Sequence, residues 1–139
     1  MSIYRWSTCL PDKAGINEMG LITKEDAIEA FEQFPWIEHL SKMDFLKEED
    51  IYYSPSLEFE NTDTKHMVTF SIVGDDKGNE FYIFYKRPKV IRSFFGLSKK
   101  EVEDYVSDIT GQTKEDAIKF LTAFLNNDTA YMESKIKEG

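Results

Sequence analysis

The chain has 139 residues, of which 41% are hydrophobic and 14% aromatic, and its formal net charge is −9. This length and aromatic content predict one globular domain, residues 1–139, and exclude a disordered chain. The negative charge repels phosphate backbones, so we expect no double-stranded nucleic acid as a partner.

Cysteine usage and hydropathy indicate the compartment. The chain has one cysteine, Cys9, which excludes an internal disulfide and favours a reducing environment. The N-terminus has no apolar run of signal-peptide length, and no stretch approaches the ~20 apolar residues that span a bilayer. The sequence therefore predicts a cytoplasmic protein with no membrane partner.

The first element in chain order is a predicted strand over residues 3–10, followed by a predicted loop. Alternation with period two puts four side chains of this strand on one face: Tyr4, Trp6, Thr8 and Leu10. Residues 11–22 contain Pro11, Gly15 and Gly20, which favour a loop.

The hexapeptide TKEDAI occurs twice, at residues 23–28 and 113–118. A duplicated domain should also repeat the residues that precede each copy, and these differ. Threonine at a helix start accepts a hydrogen bond from a backbone N–H, and an aspartate three residues later can reach back to it. We therefore interpret each copy as a helix start, with Thr23 and Thr113 as N-caps, and not as a binding motif.

Between the two hexapeptides, helical signals give way to strand signals. The helix that begins at Thr23 should end or kink at Pro35, and residues 36–43 should form a second short helix. Three strand patterns follow, joined by short turn-like linkers that favour consecutive antiparallel hairpins, and Pro88 should end the third strand. These strands are residues 56–61, 66–74 and 79–87.

The C-terminal part is predicted to be helical. Four apolar residues at helical spacing indicate a helix from Ser98 to about residue 109: Val102, Tyr105, Val106 and Ile109. Gly111 suits its C-cap, a further helix begins at Thr113, and Asp128 can cap a last one. The expected fold class is α+β, an antiparallel β-meander of about three to four strands packed by N-terminal and C-terminal helices.

The sequence contains no grouping typical of catalysis or metal binding. The two histidines, His39 and His66, lack metal-ligand spacing, and nothing around Cys9 marks it as a nucleophile. Residues 75–80 have the composition of a calcium loop without its twelve-residue pattern, and a hairpin turn explains them. Phosphate-binding glycine motifs are missing. We therefore expect no catalytic residues, no metal and no cofactor.

Charge is distributed unevenly along the chain. Residues 86–100 contain six basic residues and no acid, a local charge of +6, so the rest of the chain carries −15. Residues 44–63 contain seven acids and one lysine, a local charge of −6. Basic residues beside aromatic ones can bind single-stranded nucleic acid, but the remaining negative charge opposes this. Pairing of the basic stretch with acids elsewhere in the chain is the commoner arrangement.

One face of the predicted sheet combines polar and large aromatic side chains. The other face is apolar enough to form the core by itself. The mixed face carries Glu58, Glu60, Thr69, Ser71, Tyr82, Phe84 and Lys86. Unless a helix covers it, such a face resembles the surfaces that protein partners bind, with aromatic residues in the middle and charges at the rim.

The favoured hypothesis is a small acidic, non-enzymatic protein-binding domain, and an immunity-type inhibitor of a bacterial toxin is one concrete version of it. A dense acidic face can occupy a basic active site, and opposite charges speed the encounter. The candidate binding residues are acids with two aromatic anchors: Glu48, Glu49, Asp50, Tyr52, Tyr53, Glu58 and Glu60.

Two alternatives stay open. One is a small anionic-ligand-binding protein or enzyme with a pocket between sheet and helices. Its candidate residues are Tyr82, Lys86, Arg87, Lys89 and Arg92. The other is an accessory domain with no ligand of its own. A toxin gene beside this one would support the immunity hypothesis, whereas a metabolic operon would support the ligand hypothesis.

Overall fold

The computed structural model describes residues 3–92 and 99–138, and these residues form six β-strands and four α-helices. In chain order the elements are β1 (Tyr4–Cys9), β2 (Asn17–Ile22), α1 (Lys24–Gln33), α2 (Trp36–Lys42), β3 (Ser56–Asn61), β4 (Met67–Gly74), β5 (Asn79–Arg92), β6 (Lys99–Gln112), α3 (Lys114–Leu125) and α4 (Thr129–Glu138). The predicted α+β class is confirmed. The prediction of three to four strands is too low, because β2 and β6 were not predicted as strands.

The strands form a single antiparallel sheet in the order β2-β1-β3-β4-β5-β6. From β3 to β6 the chain passes through consecutive hairpins, as predicted for the first three of these strands. The connection from β2 to β3 carries α1 and α2 and passes β1, which lies between them in the sheet. The two outer strands are therefore β2 and β6.

All four helices pack on one side of the sheet, which we call the helix face. Aromatic side chains make several of these contacts, because large rings fill the space between two layers. Phe31 of α1 lies 5.1 Å from Phe70, and Trp36 of α2 lies 4.9 Å from Phe81, between ring centroids. Phe120 of α3 lies 6.0 Å from Tyr85. Burying each such ring stabilises the fold by about 1.5–3 kcal/mol.

The two hexapeptides start helices, as predicted. Thr23 Oγ1 accepts a hydrogen bond from the Asp26 N–H at 3.2 Å, at the start of α1. Thr113 Oγ1 accepts one from the Asp116 N–H at 3.0 Å, at the start of α3, and Asp116 Oδ2 accepts from the Thr113 N–H at 3.0 Å. That backbone hydrogen bond lowers the pKa of the Asp116 carboxyl. The predicted cap at Asp128 is also confirmed, by a bond from the Tyr131 N–H.

The helix predicted from Ser98 to about Ile109 is wrong: the described part of this segment is strand β6. Its apolar residues are β-branched or aromatic and therefore suit a strand. The segment pairs with β5 along most of its length, and this pairing makes it a strand and not a helix. The spacing of apolar residues within one segment contains no information about such pairing. Gly111 has φ of +69° and lies at the end of β6, not at a helix C-cap.

Two further predictions need correction, because they too depend on how the strands pair. Residues 11–22 were predicted as a loop, but Asn17–Ile22 pairs with β1 as an edge strand. A register shift at Trp6/Ser7 and a φ of +96° at Gly20 interrupt its alternation, so the pattern is hidden in the sequence. Pro88 does not end β5. It lies at a second register shift, between Arg87 and Lys89, where a residue without an N–H is tolerated.

Candidate functional site

The side of the sheet opposite the helix face, which we call the open face, carries the mixed polar and aromatic side chains. The pairing register arranges them in rows across the strands. The central row is Glu18, Ser7, Glu58, Thr69, Phe84 and Asp108. A second row is Leu21, Arg5, Glu60, Met67, Lys86 and Val106. With strands about 4.8 Å apart, each row of six spans about 24 Å.

A third, shorter row completes the open face with Cys9, Ser56, Ser71 and Tyr82. The structure therefore places together all seven side chains that were predicted for the mixed face. The helices contact the opposite side of the sheet, so no helix in the described residues covers the mixed face. An uncovered mixed face is the arrangement for which the sequence predicts partner binding.

One end of the open face holds a pocket of about 190 Å³, which we call the acidic pocket. It lies over β2, β1 and β3 and is lined by Arg5, Trp6, Ser7, Glu18, Glu58, Glu60 and Met67. Glu58 Oε1 accepts a hydrogen bond from Thr69 Oγ1 at 2.9 Å. Glu60 Oε1 lies 3.4 Å from Arg5 Nη1 in an exposed pair. Three carboxylates and one guanidinium give this pocket a formal charge of −2.

Ser7 has a distinct environment in the acidic pocket. Its residue is only 5% exposed, yet its hydroxyl makes no hydrogen bond to any described residue. Cys9 lies on the same strand and face: burial raises the pKa of its thiol, and the negative charges of Glu58 and Glu18 raise it further. The excess of carboxylates makes this end of the open face negative.

The β4–β6 end of the open face mixes large apolar side chains with two charged ones, Lys86 and Asp108. Tyr82 and Phe84 are half-buried, and Val106 is 51% exposed. Large apolar side chains with charges beside them are an arrangement found at protein interfaces.

The predicted acidic binding residues fall into two groups. Glu58 and Glu60 lie on the open face. The other group precedes β3: Glu48, Glu49 and Asp50 form an exposed 3₁₀ turn, followed by Tyr52 and Tyr53. Tyr52 is 53% exposed, whereas the Tyr53 hydroxyl donates to the Ala14 carbonyl at 3.0 Å. None of the acids of the turn forms an ion pair with a described residue.

The predicted anion-binding residues are divided between the two faces. Tyr82 and Lys86 lie on the open face, and Arg87 and Lys89 lie on the helix face. The backbone of Arg92 belongs to β5, and its side chain lies outside the described residues. These residues therefore do not converge on one pocket.

Arg87 is held by internal contacts. Its residue is 4% exposed, and its guanidinium donates to both Glu133 carboxylate oxygens, at 2.8 and 3.0 Å. It also donates to Ser107 Oγ at 2.8 Å and lies 4.7 Å from the centroid of the Tyr85 ring. These contacts tie α4 to the β5–β6 hairpin. The hydrogen bonds from Arg87 lower the pKa of the Glu133 carboxyl.

A wide groove of about 800 Å³ lies between the β1–β2 hairpin and the helices α1 and α2. Trp6, Phe34 and His39 contribute aromatic walls to it, and Lys13 and Glu18 contribute opposite charges. Burial lowers the pKa of His39, and the positive charge of Lys42 lowers it further. The groove thus offers a surface without net charge that is about equally polar and apolar, and none of the described side chains predicted to bind an anion lines it.

Sequence reasoning missed Ser7 and Glu18 as members of the site. Ser7 alternates with Trp6 and Thr8 in the predicted first strand, and this was the available signal that it points away from the core. Glu18 had no signal, because its position beside Ser7 depends on β2, which was predicted as a loop.

Comparison with protein-family models, with curated protein sequences and with solved structures finds no match. Across residues 3–92 and 99–138, no group of three or more His, Cys, Asp or Glu side chains is arranged to hold a metal ion. In the same residues, no helix combines the length and the apolar character needed to cross a membrane.

Proposed function

We propose that this chain is a non-enzymatic protein-binding domain that receives a basic partner on its open face and its acidic turn, in the manner of an immunity-type toxin inhibitor. The observation that carries the proposal is the open face itself. Among the described residues no helix lies over this sheet surface, which has acids at one end and, at the other, half-buried Tyr82 and Phe84 beside Lys86 and Asp108.

The open face alone is smaller than a specific protein interface, so we add the acidic turn to the proposed surface. Two rows of side chains about 24 Å long and a third of about 14 Å, each about 7 Å wide, cover roughly 430 Å². A specific protein interface buries about 800 Å² on each partner. The exposed turn at Glu48–Asp50, together with Tyr52, supplies further contact area of the same charge.

Charge supports a basic partner. The net charge of the chain is −9, and residues 44–63 alone carry −6. Opposite charges on two partners accelerate their encounter, and salt screens this effect over about 8–10 Å. Association of this chain with its partner should therefore be fast at low salt and slow down as salt is added.

The test begins by identifying a gene beside this one that encodes a basic protein, and the association rate of that protein with this chain is then measured. Reversal of the acidic turn, Glu48→Lys, Glu49→Lys and Asp50→Lys, should slow association about tenfold and flatten its salt dependence. The matched control reverses three exposed acids on the helix-face side of the molecule, Glu25→Lys, Glu32→Lys and Glu38→Lys, with the same change in net charge.

The outcomes separate a local surface from a general charge effect. The proposal requires the turn variant to slow association more than the control variant does. Equal slowing by both would mean that net charge alone acts, and the proposed surface would then be wrong. The dissociation rate of the complex is also measured for Phe84→Ala. If this rate is unchanged, the open face is not part of the interface.

A further inference from the structure

We infer that the acidic pocket holds one cationic side chain of the partner, a lysine or an arginine, with Ser7 Oγ and the carboxylates of Glu18 and Glu58 as acceptors. This inference rests on the proposed function and names the contact at its centre. Ser7 provides the first observation: a hydroxyl on a residue that is 5% exposed, lining the pocket, with no hydrogen-bond partner among the described residues.

Besides the Ser7 O–H and the remaining N–H groups of Arg5, the unused hydrogen-bonding capacity of the pocket consists of carboxylate and hydroxyl acceptors. Glu58 uses one oxygen for Thr69, Glu60 uses one for Arg5, and Glu18 has no partner in the described part of the chain. Ammonium and guanidinium groups are donors only, so they match such a set without leaving an unpaired lone pair of their own. An anionic or apolar group would instead be held against carboxylates at a desolvation cost.

Charge and size agree with one side chain. The pocket carries a formal charge of −2, which exceeds what one cation neutralises. Its volume of about 190 Å³ suits a single long side chain. Met67 forms an apolar wall beside the acids, against which the methylene stem of lysine or arginine can pack. A divalent ion has less support, because the acids do not form a metal-holding group in the described residues.

The test uses small probes, so it does not depend on knowing the partner. N-acetyl-arginine amide and N-acetyl-lysine amide are titrated against the whole protein, and backbone amide shifts are followed by NMR. The neutral isostere N-acetyl-citrulline amide serves as the control ligand. We expect the two cations to shift the amides of Ser7, Glu18 and Glu58 and citrulline to leave them unchanged. The larger response of the two identifies the preferred cation.

Variants place the effect in the pocket. Glu18→Gln removes one charge from an exposed edge residue, so it should leave the fold intact and weaken cation binding about tenfold. Ser7→Ala should weaken it severalfold, with a thermal melt to confirm that the buried site still folds. Glu32→Gln, at an exposed position of α1 away from the open face, is the matched control and should bind the cations as the wild type does.

Four results would overturn the inference. Equal binding of citrulline would show that charge is not recognised. Shifts at the same amides with calcium chloride but not with arginine amide would assign the pocket to a metal ion. If the probes fail while reversal of the acidic turn still slows partner association, the pocket assignment falls and the proposed function stands. If the probes bind but Glu18→Gln leaves partner association unchanged, the pocket binds cations outside the interface.

Discussion

Arg87 carries its charge at a residue that is only 4% exposed, and Glu133 balances it. We predict that Glu133→Gln destabilises the fold by about 1–2 kcal/mol at neutral pH, because it removes the charge from two hydrogen bonds to a buried guanidinium. Water offsets part of the loss, since the Glu133 side chain is 35% exposed. Urea unfolding measures the difference, and Lys135→Gln, which breaks an exposed pair with Glu138, is the control.

The pH dependence of this difference has a defined sign. Hydrogen bonds from Arg87 lower the pKa of Glu133 below its ordinary value of 4.5. The pair therefore stabilises the fold above that pH, and the contribution is lost as the pH falls through the lowered pKa. The stabilities of wild type and Glu133→Gln should converge in acid. A constant difference from pH 7 down to pH 3 would contradict the assignment.

The two helix caps differ by one hydrogen bond. Thr113 belongs to a reciprocal cap in which Asp116 also accepts from the Thr113 N–H, whereas Thr23 only accepts from the Asp26 N–H. We predict that Thr113→Ala and Thr23→Ala each cost about 1 kcal/mol, with the larger loss at Thr113, as measured by urea melts. A loss of partner binding at full stability would instead make the repeated hexapeptide a binding motif.

At the scale of elements, the turn between β4 and β5 depends on Gly74. Its φ is +111°, and an added Cβ would overlap the carbonyl oxygen of Gly78. Gly74→Ala should therefore cost about 2–4 kcal/mol, from left-handed strain and overpacking together. Gly78→Ala is the control, because an added Cβ there meets nothing within 4 Å and φ is not left-handed. It should change the free energy of unfolding by less than about 1 kcal/mol in urea melts.

Local patterns predicted the elements whose signals lie within one segment. The helix starts at Thr23 and Thr113 and the strands β3 and β4 belong to this group. In contrast, β6 has apolar residues whose spacing fits a helix. Its pairing with β5 makes it a strand, and this pairing cannot be deduced from the β6 segment alone. The edge strand β2 was missed because its bulge breaks the alternation on which strand prediction depends.

The same distinction applies to the candidate site. Glu58 and Glu60 were predicted because they alternate with core residues on one strand. Ser7 and Glu18 come to the same pocket from two other strands, and the register that aligns them is a property of the assembled sheet. Residues 93–98 of the basic stretch lie outside the described residues, as does the side chain of Arg92.

For the whole molecule, charge layout leads to a prediction about stability. The acids of the turn at Glu48–Asp50 are exposed and make no ion pair with a described residue. Reversing all three to lysine should therefore change the melting temperature little, since exposed charges contribute within about 0.5 kcal/mol each. A drop of several degrees that a second reversal, of Lys86, Lys99 and Lys100, restores would show that the two charged segments pair internally.

The helix layer on one side of the sheet has a consequence for sequence change. Successive side chains on β3 and β5 point to opposite faces, so Glu58 and Phe84 neighbour Phe59 and Tyr85 in the chain but not in space. A combinatorial library randomised at Glu58 and Phe84 should contain mostly folded proteins. A library randomised at Phe59 and Tyr85 should contain mostly unfolded ones. Descendants of this chain can therefore change the chemistry of the open face by substitution while they inherit the helix face unchanged.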